Sequence, residues 1–324
     1  MREEIGGYFN LELSSRGSFL HCDGNCLNTG RNALEYILSS LPRISRLWIP
    51  YFTCDAIIEP ITRLKVPHSF YSINEGLEIA GELTLLPDEY VLVTNYFGLK
   101  DAYVRRLASR FKDKLIVDNA QAYFCEPVSG IKTIYSPRKF VGVPDGGIAF
   151  MDNGRDVSQY DVDISYDRCV HLLKRFDLAA SEGYADFKNN SLKLSNQPIR
   201  KMSSLTKALL QSIDFESVRR HRVDNFMTLH QSLSTGNGLE IPPLDDFSCP
   251  MVYPYFTKDA SLKKKMIENK VYVATYWPNV FNWCCEDVLE YVLADRMVAL
   301  PIDQRYGKEE MNRISIIIKE WEKK

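Results

Sequence analysis

The segment 132–150 reads KTIYSPRKFVGVPDGGIAF and holds the β-like run 133–136 and the start of another, 148–151. Between these runs, the Pro-Asp-Gly-Gly sequence at 144–147 favours a sharp change of direction. A surface hairpin is one interpretation of this pattern. A stiff turn that holds Lys139 for chemistry is the other, and it requires partner residues elsewhere in the chain.

The composition is that of a globular protein with no strong charge bias. The chain has 324 residues, 45% of them hydrophobic, which is enough for one large domain and a smaller one. The 40 Lys and Arg residues nearly balance the 42 Asp and Glu residues, for a net charge of −2. This balance predicts no nucleic-acid partner. The N-terminal segment lacks the apolar core of a signal peptide and no apolar run is long enough to span a bilayer, so we expect a cytoplasmic protein without a membrane partner.

The cysteines indicate a reducing compartment. There are eight, and the adjacent pair Cys284 and Cys285 would be awkward in a disulfide framework. His21, Cys22 and Cys26 could suggest a metal site, but no second Cys or His pair follows at the usual spacing. We therefore predict no metal.

The first half of the chain alternates between apolar runs and helical periodicity, which is typical of an α/β domain with right-handed parallel crossovers. Strands are expected at 46–52, 66–73, 90–98 and 114–120, and helices at 31–41, 55–64 and 100–112.

The second half predicts a helical segment and then a smaller unit. Helical periodicity covers 157–173 and 203–233, with a polar connection at 188–201 between them. The prolines of 238–250 mark a domain crossing, so we expect a large domain over 1–237, with a helical segment at 157–235, and a small α+β domain over 238–324. The predicted strands of the small domain are 251–256 and 271–277, and its helices are 259–268, 286–296 and one that starts at Lys308.

Three places in the sequence could carry chemistry. Asp118 follows three apolar β-formers, at the strand end where open α/β sheets bind ligands, although it could also cap the next turn. Lys139 follows the next predicted strand, and a lysine with a lowered pKa can form a Schiff base. Gly30 and Arg31 begin a predicted helix, whose free N–H groups attract anions. An aspartate for a ring nitrogen, a lysine for an aldehyde and a helix start for a phosphate together match pyridoxal phosphate (PLP).

The motifs that surround these residues resemble, in order, those of the DegT and StrS type of PLP-dependent sugar aminotransferases of fold type I. NTGRNAL at 28–34 stands at the family's phosphate turn, WIPYFTCDAI at 48–57 at its Pro-x-Phe-Thr, and TNYFGLKDA at 94–102 at its Val-His-x-x-Gly. VDNAQAYF at 117–124 matches Asp-x-Ala-Gln, and 136–150 matches the lysine segment. The resemblance implies a mostly parallel central sheet with helices on both faces and a small C-terminal α+β domain.

The resemblance also implies roles for individual residues. Lys139 would form the aldimine with PLP and shuttle protons, while Asp118 would keep the pyridine nitrogen protonated. Gln121 would contact the phenolic oxygen and Ala120 one ring face. The remaining cofactor-binding positions implied by the motifs are Gly30, Arg31, Thr53, Cys54, Asn95 and Ser136.

The chain departs from the family pattern at three positions. Ile134 stands where the family has a phosphate-binding Ser, and Thr133 or Ser136 could replace it. Cys54 replaces an aromatic residue that stacks on the ring, and Asn95 replaces a His.

The function that the resemblance implies is transfer of an amino group, from glutamate, to a keto group of a nucleotide-linked sugar or similar metabolite. The partners would be a small-molecule amino donor and a keto-sugar acceptor. The family builds its site between two subunits, which implies a homodimer in which Arg200 or Lys201 reaches the partner's site. Two alternatives stay open, a PLP-dependent sugar dehydratase or other lyase, and a cofactor-free binding or regulatory descendant. A nicotinamide enzyme is excluded, because no Gly-x-Gly-x-x-Gly follows the first strand.

Overall fold

A computed structural model describes residues 5–245 and 247–323. Among the helices of these residues, none is both long enough and apolar enough to cross a lipid bilayer. The strands are β1 (Asn25–Leu27), β2 (Arg46–Pro50), β3 (His68–Tyr71), β4 (Glu89–Thr94), β5 (Leu115–Asn119), β6 (Lys132–Tyr135), β7 (Gly147–Phe150), β8 (Val252–Phe256) and β9 (Met297–Pro301). The α-helices are α1 (Gly30–Ser40), α2 (Ile58–Arg63), α3 (Asp101–Phe111), α4 (Val170–Asp177), α5 (Tyr184–Lys193), α6 (Ser204–Gln211), α7 (Phe215–Leu233), α8 (Ser261–Glu268), α9 (Val280–Trp283), α10 (Leu289–Arg296) and α11 (Lys308–Glu322).

The central sheet has the order β1-β7-β6-β5-β4-β2-β3, and its strands from β3 to β6 run parallel. Side chains alternate between the two faces of the sheet along each strand, and both faces are buried. Leu92 and Ile116 pack with α1 on one face, whereas Val93 and Val117 belong to the larger cluster on the other face. The expected mostly parallel sheet with helices on both faces is confirmed.

The segment 132–150 is both a hairpin and part of the core. β6 and β7 pair antiparallel, with Thr133 opposite Phe150 and Tyr135 opposite Ile148. Three of the four residues of β7 and all four of β6 are nevertheless buried. The connection between the two strands therefore projects from the carboxyl edge of the central sheet.

The Gly-Gly pair allows β7 to pass against the start of α1. A β-carbon on Gly147 would lie 2.1 Å from the carbonyl oxygen of Thr29, closer than any real contact. Gly146 has a φ of 113°, a conformation that side-chain-bearing residues rarely adopt, and its N–H donates to the Asn28 carbonyl at 2.8 Å. The pair thus fixes the N-terminus of α1 beside the end of β6.

Three expected elements are wrong. The segment 157–173 is two short 3₁₀ turns followed by α4, and the expected connection at 188–201 contains the second half of α5. The segment 271–277 is not a strand, since only Ala274 forms a bridge, to Ala299. Its last residue, Trp277, packs edge-on against Phe52, with 5.1 Å between the ring centres.

β9, rather than 271–277, pairs with β8 in the small antiparallel sheet. Its run Met297–Leu300 is fully buried. Helices α7 and α11 pack beside this sheet, and their apolar residues join the same cluster that covers one face of the central sheet. The domain boundary near residue 238 therefore stays a prediction.

Gly147→Ala should lower the free energy of unfolding by about 2 kcal/mol or more, because the colliding atoms belong to the backbone of α1 and cannot rotate away. Urea denaturation measures this change. Gly142→Ala is the matched control, since its β-carbon would meet only Leu172 Cδ2, at an ordinary 3.8 Å. Equal losses in the two variants would show that the close approach at Gly147 is unimportant.

Candidate active site

Asp118 and Lys139 meet at the carboxyl edge of the central sheet. Asp118 is the fourth residue of β5, in register with Thr94 on β4 and Ile134 on β6. Lys139 ends a single 3₁₀ turn that Pro137 begins directly after β6. Ligands of open α/β sheets bind at this edge. The structure thus brings together the two residues that the sequence singled out.

The Asp118 carboxyl group is buried, with 6% of the residue exposed. Burial raises its pKa, while the Ala120 N–H, which donates to Oδ1 at 2.8 Å, and the positive charge of Lys139 oppose this rise. No other described residue donates to the carboxylate. A protonated ring nitrogen would supply the charge-assisted hydrogen bond that this group lacks.

Gln121 presents an unpartnered donor to the same edge. Its side chain is 3% exposed, and its Oε1 accepts the Phe97 N–H at 3.1 Å. Because a backbone N–H can only donate, the atom that faces it must be the oxygen, which leaves the Nε2 donor buried without a partner. Phe97 has a φ of 59° and is followed by Gly98 at 70°, so a left-handed turn fixes this orientation.

The first turn of α1 faces Ser136. Thr29 caps the helix by accepting the Asn32 N–H at 3.0 Å, and a β-carbon on Gly30 would lie 3.8 Å from Ser136 Oγ. Ser136 is 8% exposed, and its hydroxyl has no hydrogen-bond partner among the described residues. Arg31 follows in the helix and pairs with Glu59 at 3.2 Å. The arrangement is a helix N-terminus with a free hydroxyl and a cation beside it, which suits a phosphate.

Thr53 and Cys54 complete the edge on the β2 side. Thr53 is fully buried, and its Oγ1 has no partner. Burial raises the pKa of the Cys54 thiol, and the charge of Lys139 opposes this, so the thiol lies close to the lysine. From the C-terminal part of the chain, Tyr276 approaches Cys54, and burial raises the pKa of its hydroxyl to about 12.

Three of the predicted site residues, Asn95, Arg200 and Lys201, make polar contacts with other parts of the same chain. The Asn95 amide donates to Asp101 at 2.6 Å and to Asn119 at 3.1 Å, and its oxygen accepts the Lys100 N–H. Asn95 is thus held by its own neighbours.

Arg200 and Lys201 lie in a segment that is fastened to Asn28, near the start of α1. Within the chain, Arg200 contacts Asp163 at 3.3 Å, and Lys201 Nζ lies 3.4 Å from the Ser158 carbonyl. A role of either residue in a partner's site stays a prediction.

A cavity of about 690 Å³ opens beside Lys139. The turn after β6 forms one wall, the hairpin of helices α4 and α5 forms another, with Arg175, Phe176, Tyr184 and Phe187, and Arg222 with residues 303–305 forms a third. Arg175 has no acidic partner among the residues that the structure describes. The cavity combines cationic and aromatic groups, a lining that suits an anionic, partly flat ligand.

Two residues that line the cavity are not singled out by any sequence motif. Arg138 lies in the turn after β6, where a cation next to a predicted catalytic lysine is itself a signal. His171 lies in the cavity, with a buried Nδ1 that has no partner. Burial and the charge of Arg138 lower the pKa of His171. His171 lies on α4, and the helical periodicity of 157–173 did not indicate that this helix would line a cavity.

The residues present fit PLP. The unpartnered Gln121 Nε2 and Ser136 hydroxyl, the buried Asp118 carboxylate and the reachable Lys139 amine correspond to its phenolic oxygen, phosphate, ring nitrogen and aldehyde. Each is a group that the protein alone leaves unsatisfied or accessible.

Asp118→Asn should stabilise the cofactor-free protein at neutral pH, because the amide still accepts the Ala120 N–H and removes a buried charge. The native state holds the Asp118 proton more tightly than the unfolded chain. The free-energy cost of burying the Asp118 charge is therefore absent below the ordinary aspartate pKa of about 4. This cost grows as the pH rises towards the native pKa.

Urea denaturation between acidic and neutral pH measures this stability gain. Asp287→Asn, at an exposed position, is the control and should change little at any pH. A gain from Asp118→Asn that shrinks as the pH rises would contradict the assignment.

Neither a family model nor a curated protein matches the sequence, but solved structures match the fold. A sugar aminotransferase, CalS13 from Micromonospora echinospora, is 14% identical, with a TM-score of 0.64 over 91% of this chain and 86% of its own. DesV from S. venezuelae, solved in complex with a ketimine intermediate, is 15% identical, with a TM-score of 0.62 over 91% and 84%. A DegT DnrJ EryC1 StrS aminotransferase from Brucella abortus is 14% identical, with a TM-score of 0.61 over 91% and 85%. The chain therefore has the fold of these proteins, as its motifs predict.

Proposed function

We propose that the protein is a PLP-dependent aminotransferase of the DegT and StrS type. The observation that carries this proposal is the placement of Lys139 next to a buried carboxylate, Asp118, that lacks a cationic hydrogen-bond partner. The unpartnered Nε2 of Gln121 on the same edge supports it. The shared fold with known sugar aminotransferases supports it independently.

Each side chain has a defined task in this proposal. Asp118 would hold a proton on the ring nitrogen, and Gln121 Nε2 would donate to the phenolic oxygen. The first N–H groups of α1, at Gly30 and Arg31, and the Ser136 hydroxyl bind the phosphate. Bound PLP supplies an electron sink that makes the C–H bond beside the substrate amine acidic.

Lys139 carries the proton transfer. Its amine is exposed to the cavity, so it can hold the cofactor aldehyde covalently and be displaced by a donor amine. Once displaced, the Lys139 amine would stand at the edge of the sheet as a general base that takes up the proton of the substrate carbon and holds it for return. The nearby Cys54 and Tyr276 are both protonated at neutral pH, because burial raises the pKa of each.

The acceptor that we propose is a keto sugar linked to a nucleotide, with glutamate as the amino donor. The cavity beside Lys139 supports this, because Arg138 and Arg175 can bind phosphate groups and Phe176 and Tyr184 offer flat apolar surfaces. A structurally similar protein, DesI, was solved in the presence of its TDP-sugar product. The eight cysteines are all free thiols, which fits the cytoplasmic location that we propose.

Purified protein mixed with PLP should turn yellow, with the visible absorbance of a lysine-bound cofactor, and glutamate should bleach it. Lys139→Ala should abolish this absorbance. Lys264→Ala, at an exposed position on α8, is the matched control for reaction with surface lysines and should keep it.

Absence of the absorbance at saturating PLP would overturn the proposal in favour of a cofactor-free binding protein. Absorbance that forms but does not respond to glutamate or other amino donors would favour the lyase alternative.

We further propose that the protein is a homodimer. The segment 162–192 exposes an unusual set of apolar side chains, among them Ile164 (71%), Tyr166 (78%) and Phe176 (92%). Exposed apolar groups at this density are typical of a protein interface.

Light scattering should give twice the chain mass, and Ile164→Asp should shift the protein to monomers, because it would bury a charge in the interface. Ile316→Asp is the control, at an isoleucine of α11 that is 56% exposed. A monomeric wild-type protein would refute the dimer, and dissociation by Ile316→Asp alone would move the interface to α11.

A further inference from the structure

We propose that Arg222 is a positioning residue for Lys139, which it holds through the backbone carbonyl of the next residue, Phe140. The role rests on the proposed function and deepens it, because it assigns the placement of the reactive amine to a side chain that no motif singles out.

Arg222 is a buried cation in a sequence that predicts an exposed one. It lies on α7 in the basic run RRHR at 219–222, a pattern typical of a solvated helix face. The structure instead buries the side chain, which is 2% exposed. A guanidinium group that leaves water destabilises a fold unless its N–H groups find acceptors. Its contacts therefore indicate what the burial achieves.

The three nitrogens of the Arg222 guanidinium group donate to three different segments of the chain. Nη2 donates to the Phe140 carbonyl at 3.0 Å, and Nη1 donates to the Met251 carbonyl at 3.0 Å. Nε donates to Oε1 of Gln304 at 3.1 Å. Because the charged group is planar and rigid, it fixes these three segments relative to one another.

The Phe140 carbonyl is where these contacts reach the lysine. It accepts a second hydrogen bond, from Gln304 Nε2 at 3.0 Å, so both of its lone pairs are used. The Arg222 guanidinium group also lies over the Phe140 ring, with 4.7 Å from Cζ to the ring centre. Lys139 therefore lies one residue before a backbone position that Arg222 holds by both its carbonyl and its ring.

Hydrogen bonds within the turn have a different effect from those of Arg222. The Phe140 and Val141 N–H groups donate to the Pro137 carbonyl at 2.9 and 3.0 Å, and the Lys139 N–H donates to the Ser136 carbonyl at 3.3 Å. These bonds fix the shape of the turn. Arg222 fixes its position against α7 and, through Gln304, against the segment that follows β9.

A fixed position matters for Lys139 because its amine must form a bond with the ligand. A group that is held in place has a higher effective concentration at the reacting atom than one that moves. Lys139, Phe140, Arg222 and Gln304 all line the cavity, so the tie lies directly beside the amine. Loss of the tie should therefore weaken the covalent part of cofactor binding more than the rest.

PLP and pyridoxamine phosphate together separate the lysine from the other contacts. The two compounds share the ring and the phosphate, but pyridoxamine phosphate has an amine in place of the aldehyde and cannot bond to Lys139. Calorimetric titration gives both affinities, and the visible absorbance of the lysine-bound cofactor confirms the PLP value. The ratio of PLP affinity to pyridoxamine phosphate affinity then reports on the lysine alone.

Arg222→Met should lower this ratio by about tenfold, the usual size of a charge-assisted hydrogen bond. Arg222→Lys should lose less, because it keeps the charge but not the fork geometry. Gln304→Met removes the second donor to the Phe140 carbonyl at a half-buried position and should lower the ratio by about threefold. It carries the test if Arg222→Met does not fold.

Asn225→Leu is the matched control for loosening of α7. Asn225 lies about one turn further along this helix, is 3% exposed, and donates to the Ile302 and Tyr306 carbonyls at 3.1 and 2.9 Å. Its loss should lower the stability to urea but leave the affinity ratio unchanged, because Asn225 does not bond to the lysine turn.

An unchanged ratio in Arg222→Met, or in Gln304→Met if the former does not fold, would overturn the role of Arg222. An equal fall in Asn225→Leu would overturn it too, since any loosening of α7 would then suffice. A wild-type protein that forms no lysine-bound absorbance with PLP would overturn the proposed function as well, so the two failures are distinguishable.

Discussion

The contact between Gly147 and the Thr29 carbonyl sets where helix α1 begins relative to the central sheet. β7 runs against β6 and, through the two glycines, directly under the first turn of α1. Any side chain at 147 would push the helix away from the strand. The helix N-terminus, the end of β6 and the turn that carries Lys139 therefore form one rigid corner, and the candidate site is built into it.

Buried charges near this corner fall into two groups. One group is paired: Arg168 contacts Asp145 at 3.0 Å and Asp163 at 2.6 Å, and Asp163 also contacts Arg200. These pairs hold the Gly-Gly turn and the segment around 200 in place. The other group, which includes Asp118 and Arg138, faces the cleft without comparable partners. Paired charges thus stabilise the corner, whereas the charges without partners are available to a ligand.

Much of the fold was predictable from sequence, because the large domain follows local rules. The parallel strands from β2 to β5 are apolar runs between turn residues, and α1, α3 and α11 have clear periodicity. The failures occur where tertiary contacts override local pattern. The apolar run 271–277 has the composition of a strand, but Trp277 finds its partner in Phe52 rather than in β8.

The candidate site shows the same division. Asp118 and Lys139 follow neighbouring predicted strands, so the sequence alone places them at one edge of the sheet, whereas Gln121 is implied by the family resemblance. The cavity wall with Arg175 and Phe176 depends on how α4 and α5 pack beside the turn after β6, and no spacing in the chain encodes that. Asn95 occupies the motif position where the family has a His, and its hydrogen bonds to Asp101 and Asn119 hold it within the local turn.

The hairpin of α4 and α5 has a further consequence for how this protein can change over time. No residue of α4 is buried, and in α5 only Asn190 is. Substitutions on this wall that keep the exposed apolar side chains of the proposed dimer interface therefore cost little folding stability, whereas the corner with Gly147 tolerates almost none. Selection can reshape ligand preference on the hairpin while the reactive groups stay fixed, so new substrate ranges are accessible to this scaffold by mutation of one surface element.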